Sequence, residues 1–118
     1  MKRDTDLIRR IVLALRDSDG KSISAIEGVP QHEYLINAQL VRESGLAEGR
    51  VQPSGSNKAI PANVTLFRLT DAGHDFAEKV ENDTVWNNVK ESIIKTSGKL
   101  TPGLVFEALK VVIRSGFF

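Results

Sequence analysis

The chain has 118 residues, enough for one domain with its own core, and its lack of cysteine excludes disulfide frameworks, thiolate metal sites and thiol catalysis. Hydrophobic residues make up 41% of it, and 16 basic against 15 acidic side chains leave a formal net charge of +1. Dedicated nucleic-acid binders usually carry a clear basic face, and here only a small positive bias exists, net +2 over residues 1–70 against −1 over residues 71–118.

The first predicted element is a helix over residues 6–17, which Asp4 or Thr5 would cap. Its apolar side chains recur at helical spacing: Ile8, Ile11, Val12 and Leu15. The segment before it is charged, and no long apolar run follows. We therefore expect neither a signal peptide nor a membrane span, and a cytoplasmic location.

Residues 21–29 allow two interpretations. Ile23 and Ile26 suit one helical turn, and the same apolar run suits a short strand. A standard helix-turn-helix places a full short helix here, and the segment offers little room for one. We therefore expect the first helix of the helix-turn-helix motif to be reduced or replaced by a strand.

The next helix is predicted over residues 30–44. Pro30 suits its first turn, and Gly45 can take the left-handed conformation that closes a helix. Tyr34, Ala38 and Val41 share one face and are expected in the core.

A hairpin is predicted after this helix. Residues 46–52 and 63–69 have strand character, and the segment 53–62 between them is rich in Pro, Gly, Ser and Asn, as loops are.

Three helices are predicted beyond the hairpin. Thr70 caps one that extends to about residue 81, and the next covers residues 83–98. Trp86 is expected to anchor the second onto the preceding fold. Thr101 and Pro102 open the last, whose wide apolar arc over residues 104–113 either packs within the monomer or across a two-fold axis of a homodimer.

Helix, hairpin and helix in this order predict an α+β, mostly α, fold: a winged helix with a β-hairpin wing and two additional C-terminal helices. Residues 1–82 would form the winged-helix domain. Residues 83–118 would form a helical extension that packs on it or dimerises.

The chain resembles the domain of unknown function 2513 family, short proteins common in bacteria and their prophages, and more remotely the YjcQ-like winged-helix proteins. The matching segments are MKRDTDLIR at 1–9, INAQLVRESGL at 36–46, LTDAGHDF at 69–76 and DTVWN at 83–87. The resemblance implies a winged-helix fold and a bacterial or prophage setting, and it implies no reaction. The family pattern often has His where this chain has Asn37, so no role of that His carries over.

Winged helices mostly bind nucleic acid through the helix before the hairpin, while the hairpin contacts phosphates. Leu35 and Glu43 are also expected to point outward from that helix. The residues expected to contact double-stranded DNA are Gln31, His32, Gln39, Arg42, Arg50, Asn57, Lys58 and Arg68.

The alternative is a winged-helix protein-protein interaction module without DNA binding. Exposed Leu35, Ile36 or Leu40 would favour that module, whereas a continuous basic face would favour DNA.

Sequence motifs give little support to an enzyme. His74 and Asp75 are adjacent in the first turn of a helix, so their side chains diverge, and a metal site needs several convergent ligands. No Gly-x-Ser-x-Gly motif and no phosphate-binding glycine loop is present. We expect no catalysis, no metal and no cofactor.

Overall fold

The computed structural model describes residues 4–55, 60–101, 103–105 and 107. The elements follow the predicted order and differ from the predicted bounds by one residue or so. They are α1 (Thr5–Arg16), α2 (Gln31–Glu43), β1 (Ala47–Gln52), β2 (Asn63–Leu69), α3 (Asp71–Val80) and α4 (Asp83–Ser97). Gly103 to Val105 and Glu107 are helical, and the rest of the predicted last helix lies outside the described residues.

Helix α1 begins where the sequence places its cap. The Asp4 carboxylate accepts hydrogen bonds from the backbone N–H groups of Asp6 and Leu7 at 3.0 and 3.1 Å. These bonds satisfy donors that a helix start otherwise leaves unpaired. All four residues of the predicted apolar stripe are buried.

One residue of the segment after α1 pairs with strand β2 of the hairpin. Ile23 and Leu66 exchange two backbone hydrogen bonds of 2.9 Å each, as antiparallel strands do. A turn follows, in which the Val29 N–H donates to the Ile26 carbonyl at 3.1 Å. The segment is therefore not helical, and its strand character is limited to one isolated bridge at Ile23.

Helix α2 packs against α1 and the hairpin. Tyr34 is fully buried, and its hydroxyl lies 2.9 Å from the Val64 carbonyl, to which it donates. Asn37, also fully buried, accepts from the Asp4 N–H at 2.8 Å and donates to the Glu33 carbonyl at 2.9 Å. Both polar side chains therefore join elements distant in sequence.

The prediction that Leu35 points outward is wrong. Its side chain is only 7% exposed and belongs to the hydrophobic core. Because α2 contacts α1 as well as both strands, its buried arc is wider than the single face that Tyr34, Ala38 and Val41 define.

The hairpin contains a β-bulge. Glu48 pairs with Arg68 and Gly49 pairs with Leu66, which leaves Phe67 as an extra residue on β2. Leu66 and Leu69 stay buried as a result, while Phe67 and Arg68 are both exposed.

The chain that follows α2 contacts the start of α3 directly. Thr70 donates its backbone N–H to the Leu46 carbonyl at 3.0 Å and its hydroxyl to the Gly45 carbonyl at 2.5 Å. The same hydroxyl oxygen accepts from the Gly73 N–H at 3.1 Å, which caps α3. A Cβ atom at Gly73 would lie 1.9 Å from the Leu46 carbonyl oxygen. The start of α3 is thus fitted against the chain that follows α2.

Trp86 anchors α4, as predicted. It is 2% exposed, and its indole N–H donates to the Asp6 carboxylate at 2.8 Å. Lys90 donates to the same carboxylate oxygen at 2.8 Å. The Arg9 guanidinium lies 5.8 Å and the Lys90 ammonium 5.4 Å from the ring centroid, within cation–π range. The cluster fastens α4 to α1.

Arg9 also closes the junction between α3 and α4. It donates to the Val80 carbonyl at 2.6 Å and the Glu81 carbonyl at 3.2 Å, at the C-terminal end of α3. Its guanidinium pairs with Asp83, in the first turn of α4, at 2.7 Å. A cation at this helix end is favoured by the helix dipole as well.

We expect a measurable pH dependence from Asp6. Burial raises the pKa of Asp6, but hydrogen bonds from Lys90 and Trp86 outweigh burial, and the pKa falls below its ordinary value of 3.8. Ionised Asp6 therefore stabilises the fold above the pKa of the unfolded chain, and this contribution is lost as the pH falls through the folded-state pKa.

Asp6→Asn removes this titration. Urea unfolding should show a free-energy deficit of the variant that is constant above about pH 5 and shrinks below about pH 4. A deficit of equal size at pH 3 and pH 7 would show that the Asp6 charge does not contribute.

The arrangement confirms the predicted α+β fold and is compatible with a winged helix in which α2 precedes the hairpin. No helix in the described part of the chain is long and apolar enough to cross a membrane.

Candidate nucleic-acid interface

The side of α2 that faces away from the core carries four of the eight predicted contact residues. Gln31, His32 and Arg42 are exposed, and Gln39 is partly exposed. Gln31 donates its side-chain amide to the Ser24 carbonyl at 2.9 Å, so its donor group is already engaged. Glu43 is exposed as predicted and places a carboxylate at the same end of the helix as Arg42.

Arg42 joins α2 to the hairpin. Its Nε–H donates to the Gly49 carbonyl at 2.9 Å. Leu66, opposite Gly49, directs both of its backbone groups to Ile23, so the Gly49 carbonyl faces the other edge of β1. The Arg42 guanidinium therefore lies at that edge of β1. Arg50 is the next residue after Gly49 in the chain.

Gly49 leaves room for this close hairpin. A Cβ atom at Gly49 would lie 2.3 Å from the Thr65 carbonyl oxygen, inside contact distance. The bulge and the glycine together hold Arg50 opposite Thr65, where the Arg50 side chain is exposed. Among the described residues Arg50 has no ion pair, so its charge is available to a ligand.

The other predicted hairpin cation is paired. Arg68 donates to both carboxylate oxygens of Glu48, at 2.7 and 3.0 Å. The two side chains are 69% and 53% exposed and occupy opposite positions in the strand register. Arg68 thus lies where it was expected, with its charge balanced by Glu48. The predictions for Asn57 and Lys58 lie outside the described residues.

Arg10 is a cation that the sequence prediction did not assign. It is exposed, and it donates to the Glu27 carbonyl at 2.9 Å, in the segment that leads into α2. Helix α2 begins after Pro30, which has no side-chain acceptor for the first-turn N–H groups. Arg10 is therefore held against the turn that precedes the N-terminal end of α2. The spacing of Arg10 on α1 gives no sign of this contact, because it depends on the path of residues 21–29.

The remaining arginines of α1 serve the fold. Arg16 pairs with Asp17 at 3.0 Å and with Glu81 at 2.7 Å, and its hydrogen bonds to these carboxylates raise its pKa. Arg9 is held by α3 and α4 as described above. The exposed side of α3 carries acidic residues, Asp71, Asp75 and Glu78. Arg9 and Arg16 are therefore committed to contacts within the fold, whereas Arg42 and Arg50 are exposed on α2 and β1.

His74 and Asp75 lie exposed on α3. Within residues 4–55 and 60–101 and the short described segments after them, no group of three or more His, Asp or Glu side chains is arranged to hold a metal ion.

Comparison with known proteins identifies the family. A family model described as "Hypothetical protein (DUF2513)" matches residues 2–99. The chain belongs to the DUF2513 family. It is 29% identical over 117 residues to an uncharacterized protein of Haemophilus influenzae, and the match covers 96% of each chain. No solved structure gives a significant match.

The family match confirms the resemblance to the domain of unknown function 2513 family that was inferred from the four sequence segments. It extends from α1 to α4, so the Trp86 anchor and the corner at Gly73 both lie inside the DUF2513 region. Gln31 to Arg68, and with them all predicted contact residues, lie inside it as well.

Proposed function

We propose that this DUF2513 protein is a small cytoplasmic DNA-binding protein, a transcriptional regulator of phage or mobile-element origin. The observation that carries the proposal is that Arg42, on the exposed side of α2, donates to the carbonyl of Gly49, the chain neighbour of Arg50, which is exposed on β1 and has no ion pair within the described part of the chain. In this arrangement α2 enters the major groove and the hairpin lies against the phosphates.

The side chains on α2 fit base recognition. Gln39 can form a bidentate pair with adenine, and Arg42 can form one with guanine or contact a phosphate. The Arg42 Nε–H is held by Gly49, and the terminal nitrogens of the guanidinium keep further donors. His32 lies one turn before Ile36 on the exposed side of α2, where its ring can donate to a base or a phosphate.

Phosphate contacts are available at both ends of α2. Arg50 follows Gly49, which Arg42 in the last turn of the helix contacts, and Arg10 is bound to the segment that leads into the N-terminal end. Backbone N–H groups at the start of a helix favour anions as well. Because Asp71, Asp75 and Glu78 on α3 would repel a duplex, we expect DNA to approach the α2 side.

Variants of the two arginines test this interface. We expect Arg42→Gln and Arg50→Gln each to weaken binding to duplex DNA by about 5-fold or more, because each removes a cation from the contact. Binding is measured by fluorescence anisotropy at low salt. Lys99→Gln is the matched control, since it also removes one exposed positive charge and lies after α4.

The control variant should bind within about 2-fold of the unmodified protein. Equal losses in all three variants would mean that net charge, rather than this face, sets the affinity. Circular dichroism and a thermal transition verify that each variant is folded.

A protein-interaction module without DNA binding is the second candidate. Phe67 favours it: the bulge leaves this aromatic ring 45% exposed, which is unusual for phenylalanine. Ile36 and Leu40 on α2 are also only partly buried. This candidate predicts no affinity for random duplex DNA at low salt, with Phe67→Ser leaving the fold intact.

We propose no catalytic role. The homodimer through the C-terminal helices stays a prediction, because most of the last helix lies outside the described residues.

A further inference from the structure

The ion pair between Glu48 and Arg68 is unlike the other cation contacts of the hairpin. Both side chains lie on the exposed face of the sheet, opposite each other in the register, and the guanidinium meets both carboxylate oxygens. A carboxylate in this fork geometry presents two oxygens to Arg68 in the way that a phosphate group does.

The β-bulge makes this pair possible. Leu66 and Leu69 are both buried, and regular alternation would not place two inward side chains three residues apart. The extra residue, Phe67, corrects the phase, so that Arg68 emerges on the exposed face beside Glu48. The pair is therefore positioned by the strand register and is not a chance contact of two long side chains.

We propose that the Glu48 carboxylate competes with a DNA phosphate for the Arg68 guanidinium when the protein binds DNA. This inference rests on the proposed DNA-binding function and adds a determinant of affinity to the same interface. Arg68 exchanges the Glu48 carboxylate for a DNA phosphate on binding. Because exposed ion pairs contribute little to stability, opening the pair is easy, and Glu48 lowers the affinity without blocking binding.

As a consequence, the affinity for DNA is lower than it would be if Arg68 had no ion pair. Because a phosphate contact carries no sequence information, Glu48 lowers specific and non-specific affinity by the same factor and sets the strength of binding rather than its specificity.

A double-mutant cycle tests the exchange, with a random-sequence 20-base-pair duplex as the probe. Glu48→Gln should raise the affinity about 5-fold at low salt, the upper end of what an exposed ion pair supplies. Arg68→Ala should lower it. Glu48→Gln made in the Arg68→Ala background should change it by less than about 2-fold, since the competition is then absent.

Glu78→Gln is the matched control, because it removes one exposed carboxylate from α3 and leaves the hairpin unchanged. It should change the affinity by less than about 2-fold. An equal gain in Glu48→Gln and Glu78→Gln, or an undiminished gain of Glu48→Gln in the Arg68→Ala background, would overturn the exchange while leaving DNA binding in place. Absence of binding in all of the proteins at low salt would instead reject the proposed function, and this inference with it.

Discussion

Gly73→Ala is expected to destabilise the fold by about 3 kcal/mol or more, at the upper end of the cost of overpacking. The added Cβ would lie 1.9 Å from the Leu46 carbonyl oxygen and 3.1 Å from the Leu69 Cβ. Neither neighbour can yield easily: Leu46 accepts the Thr70 N–H through that same oxygen, and both leucines are core residues. Helix α3 would have to move away from the corner that joins it to α2 and the hairpin.

Gly103→Ala is the matched control, since Gly103 also lies in a helical segment and no atom of the described residues lies within 4 Å of the position its Cβ would occupy. Alanine there should be neutral or stabilise by up to about 1 kcal/mol, because it restricts the unfolded chain. Urea unfolding followed by circular dichroism compares the two. Similar unfolding midpoints for the two variants would contradict the described fit of α3 against Leu46.

Trp86→Ala should destabilise the fold by about 3–5 kcal/mol, the usual cost of removing a buried aromatic ring. Trp86 is 2% exposed, its ring centroid lies within 5.8 Å of the cations of Arg9 and Lys90, and its indole N–H donates to Asp6. Its loss removes core contacts and the link between α1 and α4 together. Amide hydrogen exchange should show protection lost first along α4.

Trp86→Phe separates the two contributions. Phenylalanine keeps most of the apolar packing and loses the N–H donor, so a loss of about 1–2 kcal/mol is expected. If phenylalanine costs as much as alanine, the hydrogen bond to Asp6, and not packing, holds α4. If the alanine variant is as stable as the unmodified chain, Trp86 is not the anchor.

The fold was largely predictable because its signals are local. Side chains cap three helix starts, at Asp4, Thr70 and Asn82, and left-handed glycines follow two helix ends, at Gly45 and Gly98. Each of these residues lies within a few positions of the helix end that it marks. The hairpin strands followed from alternation in the same way. These features depend on short segments, which a sequence shows directly.

The errors and omissions arise where distant segments meet. Leu35 is buried because α1 and the sheet both cover α2, and helical spacing alone cannot show two neighbours. The pairing of Ile23 with Leu66 depends on a contact across more than forty positions. Asn37 appears polar in sequence and is a buried link to Asp4.

In the candidate interface, too, features that depend on local spacing were predicted, and a contact between distant segments was not. Periodicity placed Gln31, His32 and Arg42 correctly on the exposed side of α2. The pairing of Arg68 with Glu48 requires the strand register, including the bulge, which the sequence does not specify. Charge composition alone therefore overstated the number of free cations on the hairpin.

One measurement tests the proposed function most directly: the affinity of the intact protein for a random-sequence DNA duplex, followed as the salt concentration rises. Contacts from Arg10, Arg42 and Arg50 to three phosphates, with a fourth from Arg68 under the proposed exchange, predict binding at low salt. The logarithm of the affinity should fall with the logarithm of the salt concentration at a slope between about −3 and −4, near −0.9 for each phosphate. A slope in this range would support the interface on α2 and β1. Absence of binding at low salt, or binding that salt does not weaken, would contradict it.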